Sequence, residues 1–292
     1  MVYKKKYNFN LDFVKSNKPF NYFYSNSFLP NDVYKGLRDS FPELNHFTEV
    51  NKVSKNKTTY ESKDGKLVLN TRGEKFNYLI KEMPLWKEFI EKISSDDFLN
   101  DMRSIFLNEL KETVPDIAEK EWTTDDLKKN DKFAIVKLNC QFSKMCDKSF
   151  IEPHKDSATK IISLIFYLPS DDYLSFSKNK KINYGGTNFH RVLRPESEID
   201  ERDLYYNFSS DILLEGGVEY QPNTVAGFIR SFNSFHSVGP IKCPKNVYRD
   251  AFLINISRVV RPKYKKSNFF FIYKYSGIIK RFSQKILRSK FI

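Results

Sequence analysis

The stretch FIEPHKDSATKIISLIFYLP, residues 150–169, decides the fold class of this chain. It places His154 two residues before Asp156 and then continues into the apolar run IISLIF. That run is too short to span a bilayer, and its composition is typical of a buried β-strand. On an extended segment residues i and i+2 point to the same face, so the imidazole and the carboxylate can reach one metal ion. The stretch therefore predicts a buried strand directly preceded by two candidate metal ligands.

Short strand patterns separated by Gly, Pro and Asn turns continue from about residue 132 to about residue 260. We find no helical patterns between them, which favours a β-sandwich or jelly roll over an α/β fold. Residues before 132 contain amphipathic segments that we expect to form helices covering the sheet. In one of them, Ser94 and Asp97 have the spacing of an N-terminal capping box. The strand patterns are KFAIVKLNCQF, TKIISLIFYL, YGGTNFHRVL, TVAGFIRSF, FHSVGPI and RDAFLINISRVV.

The composition is that of a folded protein, since 40% of the 292 residues are hydrophobic and 16% are aromatic. The three cysteines have no paired spacing and are interpreted as reduced thiols of a cytoplasmic protein. The N-terminal segment lacks the apolar core of a secretory signal. Of the net charge of +13, ten positive charges lie between Arg261 and the C-terminus, which leaves +3 for the main body. This distribution argues against nucleic acid as the partner of the main body.

Two ligands hold a metal ion weakly, so the chain should supply a third, and His236 is the candidate. It lies in RSFNSFHSVGPI, at the edge of a later strand that a jelly roll can bring beside the first pair. Two His and one carboxylate on one face form the facial triad of non-haem Fe(II) oxygenases. A His-x-Asp pair alone also arises by chance on a protein surface, so the complete set carries the prediction. His190 is interpreted as a strand or surface residue, and His46 as a loop residue without a role.

Arg249 opens an apolar strand pattern thirteen residues after His236. Burying a guanidinium without an anionic partner is costly, and its planar fork suits a carboxylate. A dicarboxylate co-substrate would satisfy this requirement, and the alternative is a structural ion pair, for instance with Asp250. Arg258 and Arg230 are the other cations that qualify for the role.

The order of these motifs resembles the Fe(II)/2-oxoglutarate-dependent oxygenases and is most similar to their prolyl 4-hydroxylase-like branch. The resemblance covers roughly residues 132–260 and rests on His-x-Asp, YLP, GGTNF, FHSVGPI and the Arg before AFLINI. The earlier segment FLPNDVYKGLRDSFPEL is similar to the N-terminal helix that often precedes this domain. The family resemblance implies a double-stranded β-helix whose Fe(II) ligands are His154, Asp156 and His236.

The same resemblance implies that Arg249 pairs with the distal carboxylate of 2-oxoglutarate. Tyr167 matches a position whose hydroxyl reaches that carboxylate, and it is equally well explained as a core aromatic. Asn139 and Gln141 share a strand face and are candidates for contacting co-substrate or substrate, or simply for bonding to their neighbours. Halogenating members of the family lack the carboxylate that Asp156 supplies, which favours hydroxylation with O2 and release of succinate and CO2.

We therefore expect a mainly β, α+β chain with three parts. Residues 1–131 form helices and strands that pack on the core, and residues 132–260 form the jelly roll, a cupin-like double-stranded β-helix. Residues 261–292 form a basic C-terminal helix whose apolar face docks on the catalytic domain. The alternative for segment 262–292 is contact with an anionic membrane surface or an acidic partner. The substrate, peptidyl or small-molecule, is left open, and a non-catalytic cupin-like binding or scaffold protein is the rival function.

Overall fold

The computed structural model describes residues 7–49, 66–71, 73–127, 131–180, 185–194 and 211–259. Residues 1–258 form one compact unit, and residues 259–292 form a second. All but the first residue of the second unit lie outside the described ranges, and so does the predicted C-terminal helix. No helix in the described ranges is long and apolar enough to cross a membrane.

Thirteen strands and seven α-helices occur in the described residues. The strands are β1 (Val14–Ser16), β2 (Tyr22–Ser25), β3 (Thr48–Glu49), β4 (Lys66–Asn70), β5 (Glu121–Thr123), β6 (Phe133–Met145), β7 (Ile151–His154), β8 (Lys160–Tyr167), β9 (Thr187–Val192), β10 (Ile212–Val218), β11 (Val225–Ile229), β12 (Phe235–Val238) and β13 (Arg249–Arg258). The helices are α1 (Asn31–Asp39), α2 (Glu74–Leu79), α3 (Pro84–Ile93), α4 (Asp96–Ile105), α5 (Leu107–Thr113), α6 (Pro115–Ala118) and α7 (Asp171–Lys180). Two short 3-10 helices span Leu44–His46 and Ile80–Glu82.

Two sheets organise these strands. The large sheet has the order β1-β2-β11-β8-β13-β6-β4-β3, and β5 is added to β6 as a parallel neighbour. The small sheet has the order β10-β9-β12-β7, and all other described pairs are antiparallel. Strands of both sheets line one cavity, so the sheets face each other across it. This is the mixed α+β, mainly β architecture that the strand patterns predicted.

The outer face of the large sheet packs against the N-terminal helices. Trp86 of α3 contacts Phe142 of β6 and Phe252 of β13, with ring centroids 4.6 Å and 4.9 Å apart. The inner face forms a second apolar cluster between the sheets, which includes Phe189 and Phe228. Strand β8 is covered by helices on one face and by the inner cluster on the other, so its sequence is an almost continuous apolar run.

Three local features differ from the sequence-based expectation. Helix α7 lies between β8 and β9. The sequence did not predict this helix, because its segment DDYLSFSKNK has little amphipathic pattern. Strand β10 was not predicted, since it contains two consecutive glycines just before its last residue. The capping residue of α4 is Ser95, one residue later than Ser94, and its hydroxyl accepts a hydrogen bond from the Phe98 amide at 3.3 Å. The predicted capping box is thus wrong, because the residue three positions after the Ser95 cap is Phe98, whose side chain cannot return the hydrogen bond.

Candidate metal centre

The three predicted metal ligands converge at the end of the small sheet. Strands β7 and β12 are antiparallel neighbours, and their register places His154 directly opposite His236. The two imidazole centroids are 4.3 Å apart. Asp156 follows β7 by two residues, and one ligand atom from each of the three side chains lies within 4.8 Å of the other two. Residues separated by about eighty positions in the chain can therefore bind the same ion.

The orientation of both imidazoles suits metal binding. The Nδ1 atom of His154 lies 2.9 Å from the carbonyl oxygen of Glu152, and Nδ1 of His236 lies 3.2 Å from that of Ser234. A carbonyl only accepts hydrogen bonds, so we assign the ring proton to Nδ1 in each case, which leaves the Nε2 lone pair for a metal. Burial, aided by the neighbouring His236, lowers the pKa of His154 to about 3. Burial also lowers the pKa of His236. Both rings are neutral near pH 7, as metal ligands must be.

The carboxylate of Asp156 is held at both oxygens. Lys160 donates a hydrogen bond to Oδ1 and the Ser163 hydroxyl donates one to Oδ2, each at 2.6 Å. Burial alone would raise the pKa of Asp156, but Lys160 and the two imidazoles outweigh it and hold that pKa well below its usual range. The carboxyl group is therefore ionised, and one oxygen with two nitrogen donors on one side of a cavity is a set that suits Fe(II).

A cavity of about 160 Å³ lies beside these ligands, between the two sheets. This volume accommodates several water molecules or a small organic acid. The apolar part of its wall includes Ile151, Phe228 and Leu253, and the polar part includes Lys66, Gln141, Lys160, Ser163, Thr187, Arg249 and Asn255. The cavity thus combines the candidate metal ligands with three cations and only one described carboxylate.

Arg249 is the most deeply buried of those cations, with 2% of the residue exposed. Its Nε atom donates a hydrogen bond to the Gly185 carbonyl, and its guanidinium carbon lies 5.5 Å and 5.3 Å from the ring centroids of Tyr167 and Tyr220. Its Nη2 atom is buried and has no hydrogen-bond partner within the described part of the chain. A buried cationic donor of this kind calls for an anion, because leaving it unpaired is costly.

The alternative partner of Arg249, Asp250, is engaged elsewhere. Both of its carboxylate oxygens accept hydrogen bonds from Lys144, at 2.9 Å and 3.0 Å. The Arg258 guanidinium lies at the opposite end of β13, where it is 3.6 Å from the Asp116 carboxylate. Arg230 donates from Nε to the backbone oxygen of Asp156 at 3.4 Å. Neither of these two arginines lines the cavity within the described residues.

Of the remaining predicted site residues, one lines the cavity and the others are not among its described lining residues. Gln141 lines the cavity, whereas Asn139, two residues earlier on β6, is not among the described lining residues. Tyr167 is fully buried, and its hydroxyl lies 2.6 Å from the Thr187 hydroxyl. His190 is buried on β9 and bonds through Nε2 to the Ser237 hydroxyl at 2.7 Å. Their roles toward a ligand stay predictions, and none of these contacts makes His190 a member of the metal centre.

Seven polar residues of the described cavity lining were missed: Lys66, Ser143, Lys160, Ser163, Thr187, Ser237 and Asn255. For Ser163 and Asn255 the sequence does contain a signal, because each interrupts an otherwise apolar strand pattern. They are cross-strand partners, and the Ser163 hydroxyl and the Asn255 side-chain oxygen are 3.1 Å apart. Lys66 has no comparable signal, since it belongs to a short N-terminal strand that only the sheet pairing brings to the cavity.

Comparison with known proteins gives structural matches alone. No protein-family model and no curated protein matches the sequence. Solved structures similar to the chain include a prolyl-4-hydroxylase from Pseudomonas putida, with 14% identity, a TM-score of 0.39, and coverage of 82% of this chain and 92% of that one. OsALKBH1 matches with 11% identity, a TM-score of 0.25, and coverage of 41% and 48% respectively. EvdO2 from Micromonospora carbonacea var. aurantiaca matches with 14% identity, a TM-score of 0.29, and coverage of 60% and 67%. A prolyl-4-hydroxylase is thus among the solved structures to which the chain is similar.

Proposed function

We propose that the chain is an Fe(II)- and 2-oxoglutarate-dependent oxygenase that hydroxylates a C–H bond. In this proposal the two facing sheets are the double-stranded β-helix of that family. The observation that supports it best is the combination, in one cavity, of three convergent ligands with a buried guanidinium whose Nη2 atom has no partner among the described residues. When bound, iron and 2-oxoglutarate supply the oxidising chemistry, with O2 as oxidant and succinate and CO2 as co-products.

The protein's own residues have separate tasks in this proposal. His154, Asp156 and His236 hold the metal, and Lys160 and Ser163 keep the carboxylate in position. Such supporting hydrogen bonds typically change metal affinity by about 10–100-fold.

Arg249 binds the distal carboxylate of 2-oxoglutarate. The Gly185 carbonyl and the two tyrosine rings fix its guanidinium before the ligand arrives, so little conformational entropy is lost on binding. Phe228 and Leu253 supply an apolar wall that limits the access of water. The substrate, peptidyl or small-molecule, remains open at this level.

The first test is metal and co-substrate binding under anaerobic conditions. Calorimetric titration with Mn(II), followed by 2-oxoglutarate, should show sequential binding to the wild type. His236→Ala should lower Mn(II) affinity by more than about 100-fold, since it removes a ligand outright. His190→Ala is the matched control, because His190 is also a buried imidazole in the same sheet but lies outside the ligand set. Wild-type-like Mn(II) binding by His236→Ala would refute the ligand assignment.

The second test separates an enzyme from a binding protein. Wild-type protein with Fe(II), 2-oxoglutarate and O2 should release succinate when offered a panel of peptides and metabolites. Normal binding of Mn(II) and 2-oxoglutarate without succinate formation would instead support the rival function, a non-catalytic cupin-like binding protein.

A further inference from the structure

Lys66 is a cation of the cavity that the proposed function does not use. It is the first residue of β4, it is half-buried, and its side chain lines the cavity wall. Within the described residues its ammonium group has no hydrogen-bond or ion-pair partner. Lys160, in contrast, pairs with Asp156, and Arg249 is the proposed co-substrate anchor. Lys66 is therefore the cation of this cavity that has no direct ion-pair partner among the described residues.

The sheet register explains why Lys66 reaches the site. Met145 of β6 lies opposite Lys66 on one side and opposite Arg249 of β13 on the other. Directly opposed residues of antiparallel strands share a face, so Lys66 and Arg249 both project toward the cavity. Two strand spacings separate their Cα atoms by about 10 Å. In the proposed function Arg249 alone holds the distal carboxylate of 2-oxoglutarate, so Lys66 has no assigned ligand.

The charge balance of the loaded cavity favours an anionic ligand. The described lining residues contribute three cations and one carboxylate, which is a surplus of positive charge. Divalent iron and doubly charged 2-oxoglutarate cancel each other, so loading the site leaves that surplus in place. Burial, with smaller contributions from Arg249 and Lys160, lowers the pKa of Lys66 to about 8, and the nearby Asp156 carboxylate opposes this only in part.

We propose that Lys66 binds an acidic group, a carboxylate or a phosphate, of the substrate, and that it thereby selects anionic substrates and positions them beside the metal centre. This inference rests on the proposed function and names its substrate class. Amines, uncharged sugars and neutral peptides are poor substrates in this view, because they leave the Lys66 charge without a partner.

The test compares matched substrate pairs and three variants. The wild-type protein is supplied with Fe(II), 2-oxoglutarate and O2, and succinate release is measured. Each carboxylic acid is compared with its own primary amide, and each phosphate monoester with its parent alcohol. We expect acids or phosphates to stimulate succinate release and their neutral partners not to do so. Comparing the two classes shows which anion Lys66 prefers.

The variants are compared on the best substrate. Lys66→Met should raise KM for that substrate by about 10–100-fold, which corresponds to the loss of one charge-assisted hydrogen bond. The KM for 2-oxoglutarate should stay within about twofold of the wild-type value. Lys66→Arg should restore most of the affinity, and Lys137→Met, which removes an exposed lysine from β6, should change neither constant.

A second readout does not depend on turnover. Amine acetylation mapped by mass spectrometry on the Mn(II)- and 2-oxoglutarate-loaded protein should label Lys66, and the anionic substrate should protect it while leaving Lys137 labelled. Equal stimulation by acids and amides, or a Lys66→Met effect on 2-oxoglutarate instead of on substrate, would overturn the inference alone. Failure of the wild type to bind 2-oxoglutarate would overturn the proposed function and this inference with it.

Discussion

Arg249→Met tests the co-substrate site most directly, because the structure predicts unequal effects on stability and on binding. The wild-type guanidinium is buried with one donor unpartnered in the described part of the chain, a condition that costs about 1–3 kcal/mol. Methionine fills a similar volume without charge and removes this cost, but it also removes the hydrogen bond to Gly185 and the contacts with the tyrosine rings. These effects offset each other, so we expect the free energy of unfolding of the apo-protein to change by less than about 2 kcal/mol, or roughly 6 °C in Tm.

Binding of 2-oxoglutarate should respond far more strongly. A carboxylate gripped by a guanidinium forms two charge-assisted hydrogen bonds, each contributing about 1.5–3 kcal/mol. The variant should therefore lose about 3 kcal/mol or more of binding free energy, which is at least about a 100-fold rise in Kd. Titration calorimetry of the Mn(II)-loaded protein measures Kd, and thermal unfolding of the apo-protein measures stability.

Arg258→Met is the matched control for this experiment. It removes an arginine from the same strand, but that side chain is exposed and pairs with Asp116 at the far end. We expect wild-type affinity for 2-oxoglutarate in this variant. If Arg249→Met bound 2-oxoglutarate as tightly as the wild type, the proposed role of the unpartnered Nη2 donor would be refuted.

Three further predictions concern the surroundings of the site. Ser163→Ala removes a hydrogen bond to Asp156 and should lower Mn(II) affinity by about tenfold in a chelator competition assay; an unchanged affinity would show that Lys160 alone positions the carboxylate. Gly185→Ala should weaken 2-oxoglutarate binding and lower Tm, since φ is +97° there and a Cβ atom would lie 3.1 Å from Cδ of Arg249; calorimetry and thermal unfolding that matched the wild type would contradict this. Between pH 6.5 and 5 the unfolded chain protonates His154 whereas the folded chain, with a pKa of about 3, does not. The apo-protein should thus lose about 2 kcal/mol of unfolding free energy at this residue as pH falls. His154→Gln should make denaturant-measured stability fall less steeply with pH than in the wild type, while His236 keeps part of the slope; parallel profiles would count against a buried neutral imidazole at His154.

Prediction from sequence succeeded where the signal is local. The strands β6, β8 and β13 follow from their apolar and alternating patterns, and α3 follows from the helical spacing of Trp86 and Phe89. It failed for α7 and β10, which have weak patterns because little of their side-chain surface enters the core. Periodicity reports burial, so an element that buries little is nearly invisible in the sequence.

The candidate site residues also differ in whether a local sequence signal or only the tertiary structure identifies them. His154 and Asp156 were paired by their own spacing along an extended segment, which the backbone geometry of a strand dictates. The choice of Arg249 over Arg258 and Arg230 was only one of several alternatives, because all three flank apolar strand patterns. In the structure Arg249 lines the cavity, Arg258 lies at the other end of β13 beside Asp116, and Arg230, after β11, is not among the described lining residues. The co-substrate role of Arg249 stays a prediction.

The amino-acid sequence by itself determined which residues have the chemistry for a metal centre, and which segments become strands. Those properties depend on side-chain type and on neighbours a few positions away. Only the tertiary structure decided that His236 lies opposite His154, that Nη2 of Arg249 lacks a partner in the described residues, and that Lys66 shares their cavity. These facts depend on strand pairing and register, and a register shift of one residue would turn each of these side chains to the opposite face of its sheet.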